Sequence, residues 1–521
     1  RTRQGKENIW FSSYEGISNN VRRLWHETKS HEMRRFYAGF LRESECEACG
    51  GERLCQAARS VRVAAETLPT LSRWPLSELA RYFQDVNLAE YAQQIAAGIL
   101  REIGSRLRFL NEVGLGYLQL SRAASSLSGG ESQRIRLAGQ IGSELTGVTY
   151  VLDEPSIGLH PRDNHRLIAA LENLRDLGNS VIVVEHDEDM IRSADHVVDF
   201  GPRAGKEGGE IVADGAVSVV ASSDTLTGEF LSGRRRIEVQ ARGRKPSGSL
   251  ELRGAFLNNL KKVDFAVPRG LFTVVTGVSG AGKSTLINQV LRPSLTSSLR
   301  ERRQVPVGCT TIIGWEDVSK VVAIDQGPIG RTPRSNPATY TKLFDEIRRV
   351  FAGTPDARMF GYKPGRFSFN VKGGRCETCV GAGVIRVEMH FLADVFVSCP
   401  ECEGKRFNEA TLRVKYDGKT IADVLAMRVS DACDFFEHHV KAKRILDTLR
   451  DVGLGYVELG QSSTTLSGGE AQRIKLSREL ARGNQGHVVY LLDEPSTGLH
   501  LADIEKLLNV LQRLVERGNT V

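Results

Sequence analysis

One pattern is written twice in this chain, and any fold must accommodate both copies. Leu-Ser-Gly-Gly-Glu-x-Gln-Arg-Ile, then a hydrophobic run, then Leu-Asp-Glu-Pro-Ser-x-Gly-Leu-His occupy Leu127 to His160 and again Leu466 to His500. The match extends from Leu110 to Val181 against Leu449 to Val521, with one extra residue in the second copy, and each copy opens on a helix ending in Val-Gly-Leu-Gly-Tyr. Self-similarity over this length means two homologous modules, since a solenoid unit would be shorter and recur many times. Yet a single glycine-rich loop, Gly277-Val278-Ser279-Gly280-Ala281-Gly282-Lys283-Ser284-Thr285, accompanies the two copies.

With 521 residues the chain exceeds one hydrophobic core and implies three or more domains. Lys plus Arg number 70 against 63 Asp plus Glu, a net charge of +7, which permits a nucleic-acid partner without requiring one. No run approaches the roughly 18 apolar residues of a membrane span, and no signal peptide opens the chain, so a cytoplasmic protein without membrane contact is expected. Nine cysteines, six of them in Cys-x-x-Cys pairs, read as metal ligands rather than a secreted disulfide framework. The chain starts at Arg1 and stops at Val521, where the first copy runs on into Ile182-Val183-Val184-Glu185-His186. A fragment cut at both ends is expected.

The strand-then-helix alternation around the glycine-rich loop predicts an α/β core with a mostly parallel sheet. Strands are expected from Leu250 to Val275 and at Val321–Ile324, and helices over Lys283–Leu291, Ala338–Phe351 and Ala471–Arg482. In the loop, glycines let successive N–H groups turn inward around phosphate oxygens at a helix N-terminus. Lys283 is expected to reach the β and γ phosphates and Ser284 to ligate Mg2+. A plain glycine-rich turn is the competing reading, and the nine-residue match disfavours it. Asp493 and Glu494 end the apolar run Val488–Leu492, at the carboxyl edge of a strand where nucleotides bind. Asp493 fits a Mg2+-holding acid and Glu494 a general base.

Ser467 and Glu470 have the spacing of a capping box, and Gly468 and Gly469 leave backbone N–H groups open to an anion. A capped helix alone would explain these residues, but Ser128-Gly129-Gly130-Glu131 repeats them in the same frame before a second pair, Asp153-Glu154. Together these motifs resemble the ABC-type ATPases. The resemblance implies head-to-tail packing, with each ATP between the loop of one half and the signature of the other. Gly277 to Thr285, Gln326, Asp493 and Glu494 would then face Ser128, Gly129, Gly130 and Glu131. A second, incomplete site would join Ser467, Gly468, Gly469 and Glu470 with Asp153, Glu154 and His186.

Between loop and signature the chain is far longer than an ordinary ABC ATPase, and that excess carries Cys376-x-x-Cys379, nineteen residues, then Cys399-x-x-Cys402. The spacing fits a closed tetrahedral Zn2+ site, against free thiols or a redox pair, with Val384 to Val397 alternating like a hairpin between the knuckles. Cys46 and Cys49, with Cys55 nearby, leave zinc and plain thiols open, and Cys309 and Cys433 read as packing residues. Ile329-Gly330-Arg331-Thr332-Pro333-Arg334-Ser335-Asn336-Pro337, Arg366-Phe367-Ser368-Phe369-Asn370, Val387-Glu388-Met389-His390 and Val184-Glu185-His186-Asp187 extend the likeness. With them the chain closely resembles the UvrA family, the damage-recognition ATPases of bacterial nucleotide excision repair.

That resemblance implies a homodimeric ATPase using ATP, Mg2+ and Zn2+, which scans double-stranded DNA for distortion and loads UvrB without cutting DNA itself. Arg331, Arg334, Lys363, Arg366 and Lys372 are candidates for phosphate contacts, with salt-bridged surface as the alternative. The implied organisation is two ABC-type ATPase halves with helical signature domains and an inserted zinc-bound β-hairpin. Residues 1–145 are the signature region of the first half with the tail of an upstream insertion, and 146–231 its ATP-binding core. A basic linker, 232–249, reads as a solvated connector rather than a DNA-binding arm. Residues 250–335 form the second core, 336–485 its signature domain with zinc module 376–402, and 486–521 the end of that core. A UvrA-like drug-resistance paralogue stays open, since an insertion that would separate the two is not in this sequence. A transporter-associated ATPase has no need of a four-cysteine hairpin, and a zinc-scaffolded interaction module with dead nucleotide sites conflicts with Lys283, Ser284, Asp493 and Glu494.

Overall fold

The computed structural model describes residues 15–28, 31–41, 44–127, 129–141, 146–238, 243–330, 332–387, 395–482 and 486–521. Ser128, Arg242, Arg331 and residues 388–394 lie outside them. The chain forms two compact units, 1–104 with 118–122, and 105–117 with 123–521.

In the first unit a turn at Cys46–Cys49 leads to a minimal antiparallel hairpin, Arg62–Val63 against Glu66–Thr67. Thr67 caps the next helix, Leu68–Arg73, by accepting the Thr70 N–H. The helix Leu76–Asp85 comes next, its Leu76 N–H bound to Leu118 O at 2.9 Å, while Ser121 N–H binds Ser72 O at 2.9 Å.

The same arrangement recurs in the second unit. Lys415–Tyr416 pairs with Lys419–Thr420, Thr420 caps Ile421–Leu425, and Val429–Phe435 comes after it. Val429 N–H binds Val457 O at 2.9 Å and Gly460 N–H binds Leu425 O at 2.7 Å. The internal repeat therefore reaches upstream of Leu110, through strands of two residues that are too short to show a period.

In the first copy of the core, Thr149–Asp153 lies parallel to Ser180–Val184, and Val197–Gly201 pairs antiparallel with Glu210–Gly215. In the second copy Val318–Ile324 runs parallel to His487–Leu492. Thr520 bridges to Val489, and Val521 bonds both Leu271 O at 3.0 Å and Thr273 N–H at 2.8 Å, which sets the segment before the glycine-rich loop beside this sheet. Ser249–Ala255, flanked by Val263–Pro268 and Thr311–Ile313, forms an antiparallel sheet. His487–Leu492 is covered on both faces: Val489 packs with Leu250, Leu252 and Val290, while Val488 and Tyr490 pack with Ile474, Leu507 and Leu511.

Three helices differ from their expected bounds. After the glycine-rich loop, Thr285–Leu291 winds as a π-helix and continues as Arg292–Glu301, because Pro293 has no N–H to donate back along the ladder. The helix expected at Ala338–Phe351 is two, Pro337–Tyr340 and Leu343–Ala352, broken where Lys342 takes a left-handed φ of 69°. The second signature helix spans Gly468–Ala481. Arginines of the linker are held on the protein: Arg234 pairs with Asp224 at 2.9 Å, Arg235 with Glu505 at 2.8 Å and Arg244 with Glu516 at 3.2 Å. Among the described residues no helix is long and apolar enough to cross a membrane.

Candidate nucleotide site and metal centre

Gly277, Gly280 and Gly282 all take positive φ, conformations that glycine adopts without strain and that curl the loop tightly. Lys283 Nζ lies in the curl, donating to Gly277 O at 2.7 Å and Val278 O at 3.1 Å. Asn259, from the turn after Ser249–Ala255, braces the loop by donating to Gly280 O at 3.0 Å.

The two copies meet here. Ser279 Oγ donates to Gly158 O of the first copy at 2.7 Å. A Cβ on Gly280 would lie 2.7 Å from the ring of Tyr117, so the loop can approach the first copy only with glycine at that position. Tyr117 in turn donates to Glu131 Oε1 at 2.6 Å, at the start of the first signature helix, Gly129–Ile141. Gly130 is equally constrained, because a Cβ there would sit 2.2 Å from Ile157 O. The predicted partners Gly129 to Glu131 and the loop are thus on facing copies.

Asp493 and Glu494 come directly after the strand His487–Leu492. Asn288 donates to Asp493 Oδ2 at 2.9 Å, Gln326 to Glu494 O at 3.2 Å, and Gln472 of the second signature helix to Asp493 O at 3.0 Å. Glu494 adopts φ 45°, a strained value for glutamate. Burial, aided by the Asp493 charge, pushes its carboxyl above the usual glutamate range, and Lys283, Thr497 and Arg134 counter only part of this. Arg134 itself is 1 % exposed, its Nε has no partner, and burial weakens its hold on its proton.

The second set is assembled in the same sense. Ser467 Oγ accepts the Glu470 N–H at 3.2 Å and Glu470 Oε2 accepts the Ser467 N–H at 2.8 Å, the expected capping box. Tyr456 donates to Glu470 Oε1 at 2.7 Å, repeating Tyr117 and Glu131. Gly468 faces Gln326, and a Cβ on Gly498 would lie 2.8 Å from the Glu154 carboxylate. Glu154 also has φ 45°, burial raises its pKa, and His186 Nε2 approaches it at 3.8 Å. Gln133 donates to Asp153 O at 2.5 Å, as Gln472 does to Asp493 O.

Sequence reasoning missed Tyr117, Tyr456, Asn259, Arg134 and the glycines 158 and 498. A signal existed for the tyrosines, since each closes a Val-Gly-Leu-Gly-Tyr run fourteen residues before its glutamate.

Cys376, Cys379, Cys399 and Cys402 are buried with their sulfurs all within 4.8 Å of one another. Sγ of Cys376 and Cys399 are 3.9 Å apart and those of Cys379 and Cys402 3.7 Å. Four thiolates around a tetrahedral Zn2+ at about 2.3 Å stand roughly 3.8 Å apart, so the donors fit that ion. N–H groups of Cys402 and Glu401 lower the Cys399 thiol to about 7, whereas burial raises Cys402 to about 12. In the first unit the Cys49 and Gly50 N–H groups fold back onto Cys46 O, but Cys46 and Cys55 are exposed. Among the described residues no third ligand joins Cys46 and Cys49.

Of the basic candidates, Arg366 is committed internally, donating to Thr411 at 3.0 Å and lying over the Tyr362 ring at 4.5 Å. Lys363 and Lys372 are exposed and Arg334 half-buried.

No family model matches the chain. The chain is 55% identical over 509 residues to UvrABC system protein A of Methanothermobacter thermautotrophicus, covering 97% of itself and 53% of that protein. It is 54% identical over 521 residues to UvrABC system protein A of Staphylococcus aureus, covering 100% and 55%. Among solved structures, UvrA2 from Deinococcus radiodurans superposes with a TM-score of 0.87 at 48% identity, over 96% of this chain and 62% of that one. The chain thus spans about half the length of the curated relatives it matches.

Proposed function

The chain belongs to the UvrA family, and from that premise we propose that the protein is an ABC-type ATPase of nucleotide excision repair that binds distorted duplex DNA and loads UvrB. It works as a homodimer in the cytoplasm, and its ATP turnover drives the sequence of binding and release. The observation that best supports this reading is the bond from Ser279 to Gly158 O, because it sets the only complete glycine-rich loop among the described residues against the other copy.

ATP phosphates would take the place of the carbonyls that Lys283 now holds, at the start of the helix that follows the loop. Ser284 and Asp493 are the ligands for Mg2+, with Asn288 steadying Asp493. Mg2+, when bound, neutralises charge shared by the β and γ oxygens. Glu494 takes a proton from the attacking water, and its raised pKa brings it nearer the neutral range where a general base works best. Gln326 anchors the Glu494 backbone. Gly129 and Gly130 begin a helix on the facing copy, with Ser128 as a further proposed contact, and Tyr117 ties up the Glu131 carboxylate, which would otherwise repel the nucleotide.

Cys376, Cys379, Cys399 and Cys402 hold a structural Zn2+ with no open position. A sensor that tolerates chemically different lesions reads backbone position and deformability, not base edges. Arg334, Lys363 and Lys372, with Arg331, are the proposed phosphate contacts, and Arg366 stays with Thr411 and Tyr362. The test is affinity of the Glu494→Gln protein for lesion-bearing and intact duplex across a salt series. Tighter binding to the lesion at every salt concentration supports the reading, and equal affinities overturn it.

A further inference from the structure

We propose that Arg406 is a positioning residue that ties the four-cysteine centre to the loop leading into the second signature, so that metal occupancy sets the order of Gly460 to Ser467. The inference rests on the zinc reading of those cysteines.

Arg406 is the fourth residue after Cys402 and has φ 70°, a left-handed conformation that glycine adopts more cheaply. Its backbone has a reason to be there: Arg406 O accepts the Cys376 N–H at 2.9 Å and closes the first knuckle. The side chain has a separate one. It runs past Gly383, where a Cβ would meet Arg406 Cγ at 3.0 Å, and lies over the Phe369 ring at 5.3 Å. Nη2 donates to Gly460 O at 3.0 Å, and Nη1 is buried without a partner. Among the described residues no carboxylate pairs with this guanidinium. Four thiolates on Zn2+ carry a formal net charge of about −2, so the loaded centre supplies the missing counter-charge.

The far end of the contact is equally fixed. Gly460 lies seven residues before Ser467, its N–H bonds Leu425 O at 2.7 Å, and a Cβ there would clash with Leu425 at 2.9 Å. A displacement of Gly460 is therefore passed along a short segment to the signature helix.

The first unit builds the arrangement again. Arg53 is the fourth residue after Cys49, has φ 64°, and its Nη2 donates to Ser121 O at 3.3 Å. Ser121 lies seven residues before Ser128, and its N–H bonds Ser72 O as Gly460 bonds Leu425 O. A strained arginine, at the same spacing from a cysteine pair and from a signature, bonding the equivalent carbonyl in two separate units, is a device of the fold.

The experiment uses the full-length protein, with zinc content measured and hydrogen exchange read at the amides of residues 461–467, before and after a chelator. Arg406→Gly suits the φ and keeps the carbonyl bond to Cys376, so it removes the side chain alone. In the unaltered protein, stripping zinc is expected to speed exchange of this segment about tenfold, the worth of one buried hydrogen bond to a charged group. In Arg406→Gly the segment exchanges fast with zinc still bound, and stripping adds less than about twofold, the non-additivity expected of groups acting through one contact. Arg406→Lys, which keeps the charge but loses the fork, covers a glycine variant that fails to hold metal: its segment must exchange faster while zinc is bound. Equal protection in the variants and the unaltered protein, or an equal response to stripping, overturns the proposal. An unaltered protein without zinc overturns the zinc reading as well.

Discussion

The strands Thr149–Asp153 and His487–Leu492 carry the same motif and live in different surroundings. The first is buried on one face only, through Tyr150 and Leu152, and leaves Val151 69 % exposed; the second is buried on both, with Val489 at 1 %. The turn after each strand is nevertheless identical in kind. Glu154 and Glu494 share φ 45°, Gln133 and Gln472 bond the preceding aspartate carbonyls, and Tyr117 and Tyr456 bond the signature glutamates. The comparison separates two layers of information. Short-range hydrogen bonds encoded within each motif set the turn after the strand, while burial of the second strand on its other face comes from a separate sheet, Ser249–Ala255 with its neighbours.

The largest effect that can break the comparison is metal loss. Changing Cys376 and Cys399 to Ser is expected to abolish zinc retention, worth on the order of 10 kcal/mol in structural sites, in a metal analysis of purified protein. Cys46→Ser should leave zinc content as it was; an equal loss would mean that both knuckles hold metal. Next comes turnover. Glu494→Gln is expected to lower ATP hydrolysis by this chain about 100-fold, the usual share of a positioned base, while Glu154→Gln keeps more than half of it. Equal losses would make the copies chemically equivalent. In the same assay the acid limb of the pH–rate profile should lie above the usual glutamate range. The carboxyl is raised by burial, so its basic form is lost as pH falls through that raised value and regained above it.

Smaller effects sharpen the packing side. In the 521-residue chain, Val489→Ala should cost roughly 2 kcal/mol in denaturant unfolding and Val151→Ala under about 0.5 kcal/mol. Comparable costs would show that the first strand is covered too. Finally, Ser467→Ala should cost about 1 kcal/mol through loss of the cap, read as a shift in the unfolding midpoint with unchanged slope.

Much of the candidate site was legible because its motifs are runs of contiguous residues. The loop Gly277–Thr285, the pair Asp493-Glu494, the reciprocal bonds of Ser467 and Glu470 and the four cysteines are each local or regularly spaced. Tyr117 over Gly280 and Ser279 on Gly158 join segments more than a hundred residues apart, and no period announces such a contact. The upstream half of the repeat was hidden for the opposite reason. Its strands are two residues long, too brief to alternate. The split of Pro337–Tyr340 from Leu343–Ala352 turns on one left-handed residue, Lys342, whose type does not favour that conformation.

Gly158 and Gly498 make each copy's mutational tolerance a matter of the other copy. Gly158 belongs to the first copy and its missing side chain would point at Glu494 of the second, 3.5 Å from the carboxylate; Gly498 of the second stands in the same relation to Glu154 of the first, at 2.8 Å. Both glycines also take φ values near 65–70°, where a side chain is strained in any case. A codon change at Gly498 is therefore felt in the opposite copy, where the Glu154 carboxylate must give way, whereas one at Gly158 meets Glu494 only at ordinary contact distance and is opposed chiefly by its own backbone conformation.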